Sequence, residues 1–425
     1  MKAFESVIGY ESIKRELMMV VDQIHNKEIY ESLGAKMPRG ILLHGEPGLG
    51  KTLLANCLVE ESGLPVFTLR RTKAGDDFVN EITETFHRAV QVAPAIVFLD
   101  DMDKFANEDS NHRDAEAYVA VQAAIDGAKG TDVFVLATVN EMIKLPASLI
   151  RSGRFDRIIG METPDAEDAR KIIEHYLKDK KLNDDVSMDD LSKMIAYHSC
   201  AELESVLNEA AIQAAFARKP SITMEDITES VLKNQYGTEG NCAQMSEEKL
   251  RQTALHEAGH LVASEVFVPG CVGVASVRSH NSGLNGFVSR CQPLPRRPHH
   301  VVVSLAGKAA VELYYSEACA SGCTEDLERA YTLIREGLTE YGTHGFGMMD
   351  VPTCRLPETS ESMNSRTETV TQAELERYMF KAKDVLLKNR DFLEKAADAL
   401  MEKKTLLASD IQRIREECTI TEVSL

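Results

Sequence analysis

GILLHGEPGLGKT, residues 40–52, reads as a short apolar strand running into a glycine-rich turn and then a lysine and a threonine. The segment Gly45-Glu46-Pro47-Gly48-Leu49-Gly50-Lys51-Thr52 has the spacing G-x-x-x-x-G-K-[ST], set between a strand and a helix. Its glycines let successive backbone N–H groups wrap a phosphate. Lys51 neutralises the β and γ oxygens, and Thr52 offers a hydroxyl to Mg²⁺.

Working outward, β-rich apolar runs at 40–44, 65–69, 95–99 and 132–138 alternate with helical stretches as far as residue 160, the pattern of a parallel sheet wrapped by helices. From Pro164 four amphipathic helices are expected, at 166–177, 188–196, 201–218 and 224–233. A polar stretch, YGTEGNCAQMS at 236–246, is the best linker candidate. Beyond it lies a mostly helical region with short β-like pieces at 272–278 and 286–291. The polar run 352–371 reads as a surface loop, and Arg296-Arg297-Pro298-His299-His300 as a solvated basic one. The division expected is an α/β nucleotide-binding part (1–163), a helical lid (164–235), a linker (236–248) and a mostly α-helical domain (249–425).

Composition narrows the partners. The 425 residues carry a net charge of −19, which disfavours nucleic acid and anionic membrane surfaces. No apolar run approaches the ~20 residues needed to span a bilayer, and the first residues lack a signal-peptide core, so no direct membrane insertion and a cytoplasmic location are expected. Nine cysteines without a C-x-x-C pair point to reduced thiols.

About fifty residues after the phosphate loop, the apolar run 95–99 delivers Asp100 and Asp101 to its tip, where a Mg²⁺ partner and a water-activating base belong. A second site is marked by His256-Glu257-Ala258-Gly259-His260. Histidines at i and i+4 share one helical face and can hold one Zn²⁺, while Glu257 takes a proton from a water whose pKa zinc lowers toward ~7. Gly259 inside a helix costs roughly 1 kcal/mol against alanine, so it has a packing or active-site reason. Zinc needs one further protein ligand, for which Glu312 and Asp326 are candidates downstream.

The first set of motifs resembles the AAA+ ATPases. That resemblance implies a sensor role for Asn140 and arginine fingers at Arg151 and Arg154 within RSGRFDR, which act on a neighbouring subunit and so imply a homo-hexamer. With the histidine motif following on the same chain, the match sharpens to the FtsH-type ATP-dependent zinc metalloproteases, from Phe4 to Ile414. The resemblance implies cofactors ATP, Mg²⁺ and Zn²⁺, an adenine-side contact at Ile8 and Gly9, and further nucleotide contacts reaching Leu53. It makes Asp326, in Ser321-Gly322-Cys323-Thr324-Glu325-Asp326, the third zinc ligand and Glu312 a helper beside it. It also places an edge strand for substrate at 286–290. The family's N-terminal transmembrane segments are not expected here. The implied activity is ring-driven threading and cleavage of protein or peptide substrates. Alternatives from the same residues are an ATP-driven remodelling or adaptor protein with a non-proteolytic peptidase-like domain, and a peptidase that barely uses ATP.

Two departures from the family pattern matter. The pore loop that usually carries an aromatic falls on Lys73-Ala74-Gly75-Asp76-Asp77, leaving Phe78 as the nearest substitute. Asp101 stands where the family has glutamate, and one missing methylene draws the carboxylate back by ~1.5 Å, which slows hydrolysis through misplacement. An Asp101→Glu chain is expected to turn over ATP faster than its parent in a steady-state phosphate-release assay; an equal or lower rate would contradict this reading.

Overall fold

The computed structural model of the chain describes residues 2–71, 76–106, 115–150, 153–237, 245–279, 285–315, 323–343 and 361–425. It forms two compact units, Met1–Asp179 with Tyr197–Ser205, and Lys180–Ala196 with Val206–Leu425.

In the first unit, helices α1 (Glu11–His25) and α2 (Lys27–Ser32) precede β1 (Gly40–His44), α3 (Lys51–Ser62) and β2 (Val66–Leu69). Then come α4 (Asp76–Gln91), β3 (Ala95–Leu99), α5 (Ala115–Gly127), β4 (Val133–Val139), β5 (Arg157–Gly160) and α6 (Ala166–Leu177). The strands make one parallel sheet in the order β2-β3-β4-β1-β5. Side chains alternate across it, so β1, β3 and β4 each feed two cores. Ile41, Leu43, Ile96, Phe98 and Leu136 join Leu17 of α1 and Leu54 and Leu58 of α3 in one core, while Leu42, Val97, Leu99 and Val135 join Ile82 of α4 and Val121 of α5 in the other. Pairing of Leu99 with Ala137 and of His44 with Val139 brings the carboxyl ends of β1, β3 and β4 to one edge. Ligands bind at that edge in open α/β sheets. Strand β5, RIIG, escaped the sequence reading because four residues beside an arginine-rich turn carry little periodicity.

The expected pore segment 73–75 lies outside the described residues, and Asp76–Asp77 open α4. Phe78 is not available as a substitute. It is 2% exposed, in step with buried Ile82 and Phe86 at helical spacing, and meets Phe105 edge to face at 5.2 Å.

The second unit contains α7 (Met188–Met194), most of α8 (Cys200–Phe216) and α9 (Met224–Tyr236), followed by α10 (Glu247–Phe267), β6 (Val272–Ser279) and β7 (Asn285–Arg290). It continues through α11 (Arg297–Tyr314), α12 (Thr324–Glu340), α13 (Glu361–Lys388), α14 (Arg390–Lys403), β8 (Thr405–Leu407) and α15 (Ala408–Glu416). Helix α10 is buried on nearly every side from Ala254 to Val266, as expected for a helix surrounded by others rather than lying on a surface. It packs on α11, α14 and the antiparallel sheet β7-β6-β8. Its start is capped by the Ser246 hydroxyl, which accepts from Lys249 N, and its exit is fixed by buried Glu265, which accepts from the amides of Gly270 and Val272 at 2.7 and 2.9 Å. Buried Asp190 of α7 accepts from both the amide and the hydroxyl of Ser409, 2.7 Å each.

Two loop expectations are overturned. Residues 361–371 are helical, within α13, because Thr371 and the apolar positions beyond it bury a face against α11 and α12. Residues 297–300 begin α11, with Pro298 in the first turn where its missing N–H costs nothing, and Arg297 pairs with Glu336 at 2.7 Å. Among the described residues no helix is long and apolar enough to cross a membrane.

Candidate active sites

At the carboxyl edge of the first unit's sheet, the turn after β1 needs glycine. Gly45 (φ +150°) would place a Cβ 2.2 Å from Met161 O, and Gly48 (φ +81°) lies against Ser199 and Ala201. Beside this loop is a cavity of about 570 Å³ lined by Ile8, Pro47, Gly48, Gly50, Lys51, Thr52, Leu53, Asp101 and Asn140. Gly9 (φ +74°) makes the turn next to Ile8 against Asp168. The sequence reading missed Tyr10 beside Gly9, and also Ile172, His175, Tyr176 and Cys200, which come from distant helices with no motif of their own.

Polar contacts join the expected nucleotide residues into one network. Asp100, 5% exposed, accepts at Oδ1 from the hydroxyls of Thr52 (3.0 Å) and Thr138 (2.8 Å). Asn140 Nδ2 donates to Asp101 Oδ1 at 3.2 Å, and Lys104 Nζ lies 2.6 Å from Oδ2. Burial opposes the charge on Asp101, but Lys104, Arg70 and Asn140 outweigh it and hold the carboxyl below the ordinary range. Lys51 donates to Gly45 O and Glu46 O, and burial pulls its pKa down.

The two expected fingers differ in what can be said. Arg151 lies outside the described residues. Arg154 is turned onto its own chain, with Nε and Nη2 on the two oxygens of Asp126 (3.1 and 2.6 Å) and Nη1 on Ser148 O. Asp156, two residues on, accepts from the amides of Arg39 and Gly153.

In the second unit, α10 and the first turn of α12 bring three donor atoms together. His256 Nε2 and His260 Nε2 are 3.1 Å apart, and Asp326 Oδ2 is 3.1 and 3.2 Å from them. Tetrahedral zinc with bonds of ~2.0–2.1 Å has ligand-to-ligand edges of about 3.3–3.4 Å, so this triangle fits a zinc ion with only slight expansion. His260 Nδ1 donates to Val303 O at 2.7 Å, so in the neutral ring the lone pair lies on Nε2, facing the other two donors. Burial favours the neutral form of both rings, and Asp326 reverses this only for His260. The imidazoles in turn keep Asp326, despite its burial, well below the usual carboxylate range.

Glu257 is 3% exposed, and burial pushes its pKa up to about 8. Gly286 (φ +86°), at the start of β7, leans over it so closely that a Cβ would sit 2.3 Å from Glu257 Oε1. Glu312 does not assist the metal triangle as expected. Lys308 and Lys383 take its two oxygens at 2.8 and 2.7 Å, because the end of α11 directs it toward α13. Gly259 has the anticipated packing reason, since a Cβ there would meet Ala306 O at 2.4 Å.

The residue that sequence reasoning missed is Gly307 of α11, where a Cβ would lie 2.4 Å from His260 Nε2 and 2.6 Å from His256 Cε1. A glycine in mid-helix was the available signal, as it was for Gly259. Overpacking costs roughly 1–3 kcal/mol, which here falls on the rings that must hold the metal. Gly307→Ala is expected to keep its helical circular dichroism while its zinc affinity, measured by chelator competition, falls at least about tenfold. Unchanged affinity would mean that α11 does not shape the triangle.

Comparison with known proteins agrees with this geometry. Residues 41–163 match the ATPase family associated with various cellular activities (AAA), and residues 243–414 match peptidase family M41. The chain is 31% identical to the ATP-dependent zinc metalloprotease FtsH 1 of Thermomicrobium roseum, over 97% of this chain and 68% of that protein. It is likewise 31% identical to the ATP-dependent zinc metalloprotease FtsH of Caldicellulosiruptor bescii (97% and 71%) and to that of Thermus thermophilus (97% and 70%). With both domains in order and a metal triangle built on the second, the chain belongs to the FtsH family of ATP-dependent zinc metalloproteases.

Proposed function

We propose that the chain is an ATP-dependent zinc endopeptidase in which His256, His260 and Asp326 hold the metal and Glu257 is the general base. The observation that carries this is the triangle of donor atoms with edges of 3.1–3.2 Å and a buried carboxylate one residue from its first corner. Zinc, when bound, supplies a Lewis acid that acidifies a water and polarises a peptide carbonyl. The protein's own part is to hold that water's proton acceptor dry. Burial raises Glu257 to about 8, and a nearby divalent charge lowers it again, so the carboxylate is poised to take a proton near neutral pH and return it to the leaving amine. Strand β7, beside Glu257, offers a backbone edge on which an extended peptide could be laid out.

At the other site, Gly45 to Leu53 cradle the nucleotide phosphates, Thr52 and Asp100 hold Mg²⁺, and Asp101 with Asn140 orients the attacking water. The division into a nucleotide-binding part (1–163), lid (164–235), linker (236–248) and peptidase (249–425) is supported by the two family matches, at 41–163 and 243–414. Family membership supports a homo-hexamer in which Arg151 and Arg154 reach a neighbouring subunit. In that assembly Arg154 must exchange Asp126 for the neighbour's phosphate.

Glu257→Gln is the direct test of the peptidase half. Casein degradation in the presence of ATP is expected to fall by at least about 10³-fold, with zinc content and ATP turnover unchanged. Retained cleavage would reject Glu257 as the base, and loss of zinc as well would make it a structural residue.

A further inference from the structure

The nucleotide cavity contains an arginine that neither the phosphate-loop pattern nor the finger motif accounts for. Arg70 follows the last residue of β2, so the sheet itself carries it to the carboxyl edge where Asp100 and Asp101 end β3. Its Nε lies 3.6 Å from Asp100 Oδ2 and its Nη2 3.4 Å from Asp101 Oδ2. One guanidinium thus spans the proposed Mg²⁺ partner and the proposed base, and it lines the cavity with Lys51, Thr52 and Asn140. Asp100 is buried and Asp101 half-buried (side chains 6% and 14% exposed), whereas Arg70 is 62% exposed in its side chain. The acids are therefore fixed and the arginine is free to move. If Arg70 leaves, Asp101 keeps Lys104 at 2.6 Å and Asn140 at 3.2 Å, and buried Asp100 keeps the hydroxyls of Thr52 and Thr138.

We propose that Arg70 is a γ-phosphate contact supplied by the chain to its own nucleotide, an arginine acting in cis. This rests on the ATPase reading above. When Mg²⁺ and the γ-phosphate enter, the metal takes over the charge of Asp100, and the guanidinium is left within reach of phosphate oxygens that match its planar fork. A cation at that point stabilises charge that grows during phosphoryl transfer. It also offsets the handicap of Asp101, whose shorter side chain orients water less well than glutamate. Arg154, held by Asp126 and Ser148, leaves room for such a local cation within one chain.

The test compares binding of Mg·ATPγS and Mg·ADP by titration calorimetry on the full chain, with ATP turnover measured alongside. For Arg70→Ala, the ATPγS dissociation constant is expected to rise about tenfold or more while that for ADP stays within about twofold, and kcat to fall about tenfold. Arg70→Lys, which keeps the charge and loses the fork, should recover part of both. Equal weakening toward the two nucleotides would make Arg70 a structural part of the pocket and overturn the proposal, as would no change toward either. Lys51→Ala separates this from the reading beneath it. If that variant binds ATPγS as well as its parent does, the phosphate loop is misassigned and the inference falls with it.

Discussion

The close approach of α10 to α11 is the constraint on which the peptidase site depends. His256 and His260 point the same way because they are one turn apart on a helix, but a shared face alone does not make a metal site. The rings must be met by a third donor and held without a competing side chain. Gly259 lets the backbone of α11 come within van der Waals range of α10, and Gly307 leaves the space that the two imidazoles occupy. Val303, one turn before Gly307 on α11, accepts the Nδ1 proton of His260 and so sets its tautomer. Asp326 is then delivered by the first turn of α12, which packs on the same α11. One helix thus fixes ring spacing, ring protonation and the position of the third ligand.

The nucleotide site is built on the opposite principle, with charges set at a sheet edge rather than inside a helix pair. Parallel strands end together, so Asp100, Asp101 and Asn140 meet the loop after β1 without any long side chain having to reach. Burial there makes the polar contacts matter, since a carboxylate such as Asp100 is tolerated only with its hydroxyl partners in place. The two proposed bases are held differently, Asp101 by Asn140, Lys104 and Arg70 and Glu257 by burial beneath Gly286.

Much of this could be read from the residues. The phosphate loop, the acid pair and the histidine pair are local patterns whose spacing carries its own chemistry, and the strands around Leu42, Val97 and Val135 were visible as apolar runs. What escaped depends on three-dimensional packing. Phe78 is the aromatic nearest the expected pore loop, but helical phase turns it inward with Ile82 and Phe86. Glu312 seemed placed for the metal, and the two lysines that claim it come from one turn earlier in its own helix and from α13. Residues 361–371 look like loop because they are polar, and only Thr371 and positions further along the same helix are buried. Arg70 and Gly307 carry no motif at all, and only the sheet register and the helix contact show why they matter.

The central claim is that His256, His260 and Asp326 converge on one zinc ion. X-ray absorption at the zinc edge of the purified, folded chain, with metal content measured in the same sample, tests it most directly. The account predicts about one zinc per chain with two imidazoles and an oxygen donor from Asp326 in its first shell, and loss of that signal in Asp326→Ala. A folded chain that takes up no zinc, or an Asp326→Ala variant with the same spectrum as its parent, would contradict it.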